Sequence, residues 1–150
     1  MIRPIALAVI WNGDRLLVCE GHDPIKGETF YRPLGGGIEF GERAEDTVRR
    51  ELLEEIEAEV INVESIGTLE NLFTYNGVAG HEIVLLFAAD LADPGLYQLE
   101  VISGTEDNGQ PLKVLWKPMP AFETGAERLY PDGLTRLLSS RRGRPAGPGS

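Results

Sequence analysis

A chain of 150 residues, 42% hydrophobic and 25% charged, has material for one globular core and little for a second. Its formal charge is −10, and setting aside Arg141, Arg142 and Arg144 at the C-terminal end leaves 11 basic against 24 acidic residues. That balance argues against a polymeric nucleic acid as partner, because such binders neutralise phosphates with basic patches. No apolar run approaches the roughly 18 residues needed to cross a bilayer, so no membrane partner is expected. An acidic protein can still handle phosphates when a divalent cation mediates the contact.

The opening stretch MIRPIALAVIW is short and lacks a small-residue cleavage site, so no export signal is expected. Ile5 to Ile10 and Leu16 to Cys19 are apolar, β-suited runs joined through Asn12-Gly13, a dipeptide suited to the positive φ angles of a two-residue hairpin turn. The spacing predicts a first hairpin there. Cys19, the lone cysteine, reads as a small buried side chain and fits a reducing cytoplasm. Gly21 to Glu28 has loop composition, and Thr29 to Leu34 reads as a short strand feeding three glycines. Glu42 to Ala58 contains no Gly or Pro, and Val48, Leu52 and Ile56 recur every four residues, which predicts a helix with one apolar stripe.

Val60 to Tyr75 and His81 to Leu91 read as strands around an Asn76-Gly77 turn. Pro94 to Pro111 is polar and loop-like, Leu112 to Trp116 is one more strand, and Pro131 to Ser139 reads as a second helix. The stretch 141–150, RRGRPAGPGS, has nothing to bury and is expected to be a flexible tail after a single domain over 1–140. Hairpins around helices predict an α/β sandwich with a mixed β-sheet, since consecutive hairpins cannot build an all-parallel one.

The helix carries the chemistry. Glu51, Glu54 and Glu55 stand at i, i+3 and i+4, so three carboxylates share a face. Like charges at that spacing destabilise a helix by a few tenths of a kcal/mol per pair, and the arrangement asks for a cation. Hard oxygen ligands favour Mg²⁺, Mn²⁺ or Ca²⁺, whereas zinc would find only His22 and His81. Magnesium with bound phosphates is the economical reading. Gly35, Gly36 and Gly37 ahead of the helix let backbone approach a ligand closely.

Gly36, five residues, Glu42, seven residues, then Arg50-Glu51-Leu52-Leu53-Glu54-Glu55 resembles the Nudix box, from Gly36 to Ala58, with Glu57 where the family usually has Gly. The strands before it, the hairpin after it and the closing helix look like the Nudix fold, an α/β/α sandwich, over about Met1 to Ser140. The resemblance implies that Glu51, Glu54 and Glu55 bind metal, joined by the main chain of Gly35 or Gly36. It implies that Arg50 pairs with Glu42 and braces loop against helix. It further implies a hydrolase of phosphoric anhydride bonds, in which water attacks a phosphorus of a small nucleotide whose nucleoside diphosphate is linked to another group, with Mg²⁺ or Mn²⁺ as cofactor. Family members often form homodimers, though no residue here marks the surface.

Two departures bear on this. Without Gly at Glu57 the helix is expected to lose its left-handed stop and to run on through Ala58. The usual Pro-Gly-Gly also reads Pro33-Leu34-Gly35-Gly36, which shifts the proline by one.

In this family a general base often comes from a later loop, and Glu106 in SGTEDNGQP is the first candidate, with Glu100 and Asp107 behind it; solvated loop acids are the plain alternative. Glu82 opens an apolar strand, where edge solvation competes with a role at the metal. Tyr31, Phe73, Tyr75 and Tyr97 could stack on a base, although for each alone ordinary packing is the commoner role. Arg32 could bind a phosphate or make a surface ion pair, and Lys26 and His22 are weaker candidates. A Nudix-like module that only senses a nucleotide is the competing functional class. Such modules commonly lose box carboxylates, and all three are present here.

Overall fold

The computed structural model describes residues 1–142. In chain order its elements are β1 (Ile2–Val9), β2 (Trp11–Asn12), β3 (Arg15–Asp23), β4 (Glu28–Arg32), β5 (Leu34–Gly37), α1 (Ala44–Ile56), β6 (Val60–Tyr75), β7 (Val78–Leu91), β8 (Val101–Thr105), β9 (Pro111–Pro118), α2 (Met119–Glu123), β10 (Arg128–Leu129) and α3 (Leu134–Arg142). A 3-10 turn over Pro94–Gln98 precedes β8.

The strands form two sheets, one ordered β5-β1-β7-β6 and the other β10-β4-β3-β9-β8, with β2 paired to β3. The first is mixed, because β1 runs parallel to β7 and antiparallel to β5. Alternation along the strands explains the continuous apolar runs. Ala6, Ala8 and Ile10 join Leu17 and Cys19 in one core with Val48, Leu52 and Ile56 of α1. Ile5, Leu7 and Val9 join Leu16 and Val18 in a second core with Met119, Phe122, Leu134 and Leu138 of α2 and α3. Helices therefore cover both sides of the strands in an α/β/α arrangement, and a strand buried on both faces has no polar side to show. Val48 and Leu52 are fully buried, each contributing about 1.5–3 kcal/mol of hydrophobic transfer.

Several expectations change. The Asn12-Gly13 turn exists, with Gly13 at φ 64°, but only Trp11 and Asn12 pair back onto β3. The chain crosses between sheets around Ile10, so β1 and β3 are not hairpin partners. The first loop shrinks to residues 24–27, because β3 extends to Asp23 and pairs with β4. Asp23 makes this possible: its buried carboxylate accepts from the N–H groups of Ile25, Lys26 and Asn76, satisfying turn backbone that polar composition would otherwise leave to water. The glycine run is itself strand β5, paired with β1, and the polar stretch Pro94 to Pro111, expected as loop, contains β8, antiparallel to β9. The second hairpin is as expected around Asn76 (φ 50°) and Gly77 (φ 78°).

α1 stops at Ile56 instead of continuing through Ala58. Glu57 takes the left-handed conformation itself (φ 55°, ψ 33°), and the N–H groups of Glu57 and Ala58 close on the carbonyls of Leu53 and Leu52. Burial of Ala58 and Val60 holds the chain to that exit against the steric cost. The second helix is α3, beginning at Leu134, and the short α2 was not anticipated. The expected tail starts inside α3 at Arg141 and Arg142, and its remainder, 143–150, lies outside the described residues.

Candidate active site

The β5–α1 loop is tied to the helix by one arginine. Arg50 Nε and Nη2 donate to the two carboxylate oxygens of Glu42 at 2.8 and 2.9 Å, and Nη2 also donates to the Gly37 carbonyl at 3.1 Å. This forked geometry is what a guanidinium does well and an ammonium does not. Glu42 further accepts from Thr47 Oγ1 at 2.6 Å. These hydrogen bonds, Arg50's above all, hold the Glu42 carboxyl down at about 2. Nη1 of Arg50 reaches Glu51 at 3.0 Å and Glu54 at 3.3 Å, so a single cation spans loop and acidic face.

One carboxylate oxygen each from Glu51, Glu54 and Asp107 lies within 4.8 Å of the other two. Oxygens opposite one another on Mg²⁺ are about 4.2 Å apart, so this group is on the scale of a hard-cation site. Glu51 is buried while Glu54 and Asp107 are exposed, and burial first, then the Asp107 charge, pushes the Glu51 carboxyl up. The rise thus records burial first and the crowding of carboxylates second, with Arg50 opposing both. The three line a cleft of about 700 Å³ with Arg3, Arg50 and Glu106. Asp107 enters from the β8–β9 loop, some fifty residues after the box, which is why spacing alone ranked it low.

Glu55 is set apart from that group. It is buried, its Oε1 accepts from the Gly35 N–H at 3.1 Å, and burial pushes its carboxyl up to about 8, with Arg32 pulling the other way. The glycines are required by contact. A Cβ on Gly36 would lie 2.7 Å from the Glu51 carboxyl, and one on Gly35, at φ 145°, would overlap the Ala6 carbonyl oxygen. Gly36 thus gives the Glu51 carboxylate room against β5, and Gly35 lets β5 lie close on β1.

A second cleft of about 480 Å³ adjoins the first, and Arg3 and Glu106 line both. Arg32, Tyr75, Phe73, Lys26 and Glu82 all face it. Tyr31 does not: its ring is in the α3-side core under Lys117, its hydroxyl donates to Glu20, and burial first raises it to about 12. Residue 31 points opposite to residue 32 because side chains alternate along β4. Tyr97 is stacked on Trp116 at 5.3 Å and packs against the α1-side core. Glu100 lines neither cleft. Arg3 and Asn71, both lining the second cleft, had no motif to announce them; an Arg or Asn inside a strand was the available signal.

The sequence matches the model of the NUDIX domain over residues 1–116. A curated relative, the NAD-capped RNA hydrolase NudC of Pseudomonas syringae pv. tomato, is 33% identical over 67 residues, 45% of this chain and 23% of that protein. The chain therefore spans about a quarter of that relative. Among solved structures, the MutT NUDIX hydrolase from Burkholderia pseudomallei superposes with a TM-score of 0.62 at 17% identity, covering 93% of this chain and 97% of that one. A NUDIX hydrolase from Nitrosomonas europaea superposes with a TM-score of 0.64 at 18% identity, covering 95% and 89%. At those identities the likeness speaks for the fold, and the matched domain speaks for descent. The chain belongs to the NUDIX domain family.

Proposed function

We propose that this chain is a Mg²⁺- or Mn²⁺-dependent pyrophosphohydrolase that cleaves the diphosphate bond of a small nucleotide, a phosphoric anhydride. The observation that carries the reading is the convergence of Glu51, Glu54 and Asp107 in an open cleft beside a fixed Arg50. A divalent ion held there would polarise phosphoryl oxygens and lower the pKa of a water. Glu51 and Glu54 would hold it with Asp107 assisting, and Arg50 keeps the two glutamates aligned through its own ties to Glu42 and Gly37. Glu106, at the junction of the clefts, is the proposed base: it takes the proton as water oxygen bonds to phosphorus and the bridging oxygen leaves with the other phosphate.

The negative charge favours a small nucleotide over a polymer, even though a relative is named for capped RNA. A buried free Cys19 fits a cytoplasmic setting. Glu54→Gln and Glu51→Gln should each lower turnover at least about 100-fold, equivalent to roughly 2.7 kcal/mol of transition-state stabilisation, with unchanged circular dichroism. Chromatography of products from a nucleotide panel with Mg²⁺ or Mn²⁺ reads the result. A folded Glu54→Gln protein with full turnover would refute the mechanism, and intact nucleotide after hours would favour a sensor instead.

A further inference from the structure

We propose that Asp23 is a positioning residue that straps the two sheets together at the outer end of the second cleft and so fixes the space in which substrate is held; the part concerning substrate rests on the pyrophosphohydrolase reading above. Asp23 ends β3, in one sheet, and Asn76 lies in the β6–β7 turn of the other. Its two carboxylate oxygens divide the work. Oδ1 accepts from the N–H groups of Ile25 and Lys26, in its own turn, at 2.9 and 3.1 Å, while Oδ2 accepts from the N–H of Asn76, in the other sheet, at 3.1 Å. Capping the local turn takes only one of these oxygens, so the second is spent on joining the sheets. Asp23 is 2% exposed. Burial disfavours its charged form, yet the N–H groups of Asn76, Lys26 and Ile25 outweigh it and hold the carboxyl below its usual value, so both oxygens remain acceptors.

Neighbouring contacts run the same way. Tyr75 Oη donates to the His22 carbonyl at 3.2 Å, a second tie between the hairpin ends, and the Phe30 ring of β4 meets Tyr75 edge-on at 5.9 Å. Asp23, Phe30 and Tyr75 all line the second cleft. Ile25 and Val78, beside the two turns, are exposed, so apolar packing does little to hold the ends together and their opening is cheap once the polar ties go. The other end of the cleft is marked by Arg3 and Glu106, which it shares with the carboxylate cleft. Arg3 pairs in register with Glu82, and Glu82 with Asn71. Tyr75 stands four residues beyond Asn71 on β6, about 13 Å at the rise of a strand. The strap is therefore remote from Glu51, Glu54 and Asp107, and it governs how substrate is held rather than how phosphorus is attacked.

The test uses the full chain and Asp23→Asn, which keeps the volume but turns one acceptor into a donor, so the residue can hold its own turn or the opposite one but not both. Hydrogen exchange followed by NMR should show either the Asn76 amide or the Ile25 and Lys26 amides exchanging at least tenfold faster, with those of α1 unchanged. Cys19, the lone cysteine, lines the same cleft and is 4% exposed, so its alkylation by iodoacetamide reports the opening. That rate should rise at least tenfold in Asp23→Asn and stay within twofold in Val63→Ala, a control that loosens the α1-side core and lines neither cleft. For the nucleotide that wild type turns over fastest, Asp23→Asn should raise KM at least fivefold and leave kcat within twofold. Tyr75→Phe, which removes the tie to His22, should raise Cys19 alkylation at least threefold, and it decides the matter if Asp23→Asn does not fold. Wild-type exchange and alkylation in the variants would overturn the strap, and faster alkylation with an unchanged KM would overturn its role in holding substrate. A wild type that hydrolyses no nucleotide would refute the hydrolase reading alone, because exchange and alkylation decide the strap without a substrate.

Discussion

Gly36 and Glu51 occupy one volume between them, so residue 36 constrains the carboxylate directly. A methyl group at residue 36 would sit 2.7 Å from the Glu51 carboxyl, inside van der Waals contact, so the glutamate must swing away from Glu54 and Asp107. Gly36→Ala is therefore expected to weaken Mn²⁺ binding and to lower turnover at least tenfold in a folded protein, as titration calorimetry and an assay would show. Glu42 makes a different prediction. Arg50 chiefly, and Thr47 next, hold its folded value at about 2 against an ordinary 4.5. A depressed carboxyl stabilises fully above the unfolded value, and that contribution disappears as pH falls from 4.5 towards 2. Over this window the melting temperature of wild type should drop more steeply than that of Glu42→Gln; parallel curves would show the pair to be worth little. Arg50, Glu51 and Glu54 were legible in the sequence because a helix turns fixed spacing into proximity, and Glu42, in the loop before the helix, only through the resemblance to the box. Asp107 was named only as a loop acid behind Glu106, and Arg3 and Asn71 were not singled out, since each reaches the clefts from a separate strand or loop through tertiary pairing that no local pattern encodes.

Elements were legible where one segment's own preferences decide them. The helix carrying the box and the β6–β7 hairpin depend on local periodicity and turn chemistry, and both formed as expected. Partnership between strands was not local: β1 and β3 look like a hairpin until the doubly buried pattern of each places them in different sheets. The end of α1 is the sharpest case. Propensity argued that Glu57, having a Cβ, would extend the helix, but packing of the following residues forces it into the left-handed region at φ 55°. That conformation costs a residue with a Cβ roughly 1 kcal/mol, part of which glycine would return through greater freedom in the unfolded chain. Glu57→Gly should thus raise stability by about 0.5–1 kcal/mol, or a few degrees in melting temperature, without changing the metal site. Urea denaturation would check it, and a loss of stability would mean that the Glu57 side chain contributes more than its backbone strain costs.

Across the whole molecule, 24 acidic against 14 basic residues leave a surplus of negative charge, and the proposed site concentrates part of it. Glu51 and Glu54 come from α1, whereas Asp107 comes from the loop between β8 and β9, so an ion bound to all three would join parts of the chain far apart in sequence. Binding to the folded state alone adds RT ln(1 + [L]/Kd), about 2.7 kcal/mol at a hundredfold excess over Kd. Simple screening of the surface would act without regard to which acid is present. The two are separable. Millimolar Mn²⁺ or Mg²⁺ should raise the melting temperature of wild type by several degrees over sodium chloride of equal ionic strength, and Glu54→Gln or Asp107→Asn should remove most of that increment. If both variants keep the full increment, the ion is acting on the general charge of the protein rather than joining helix to loop, and the metal assignment fails with it.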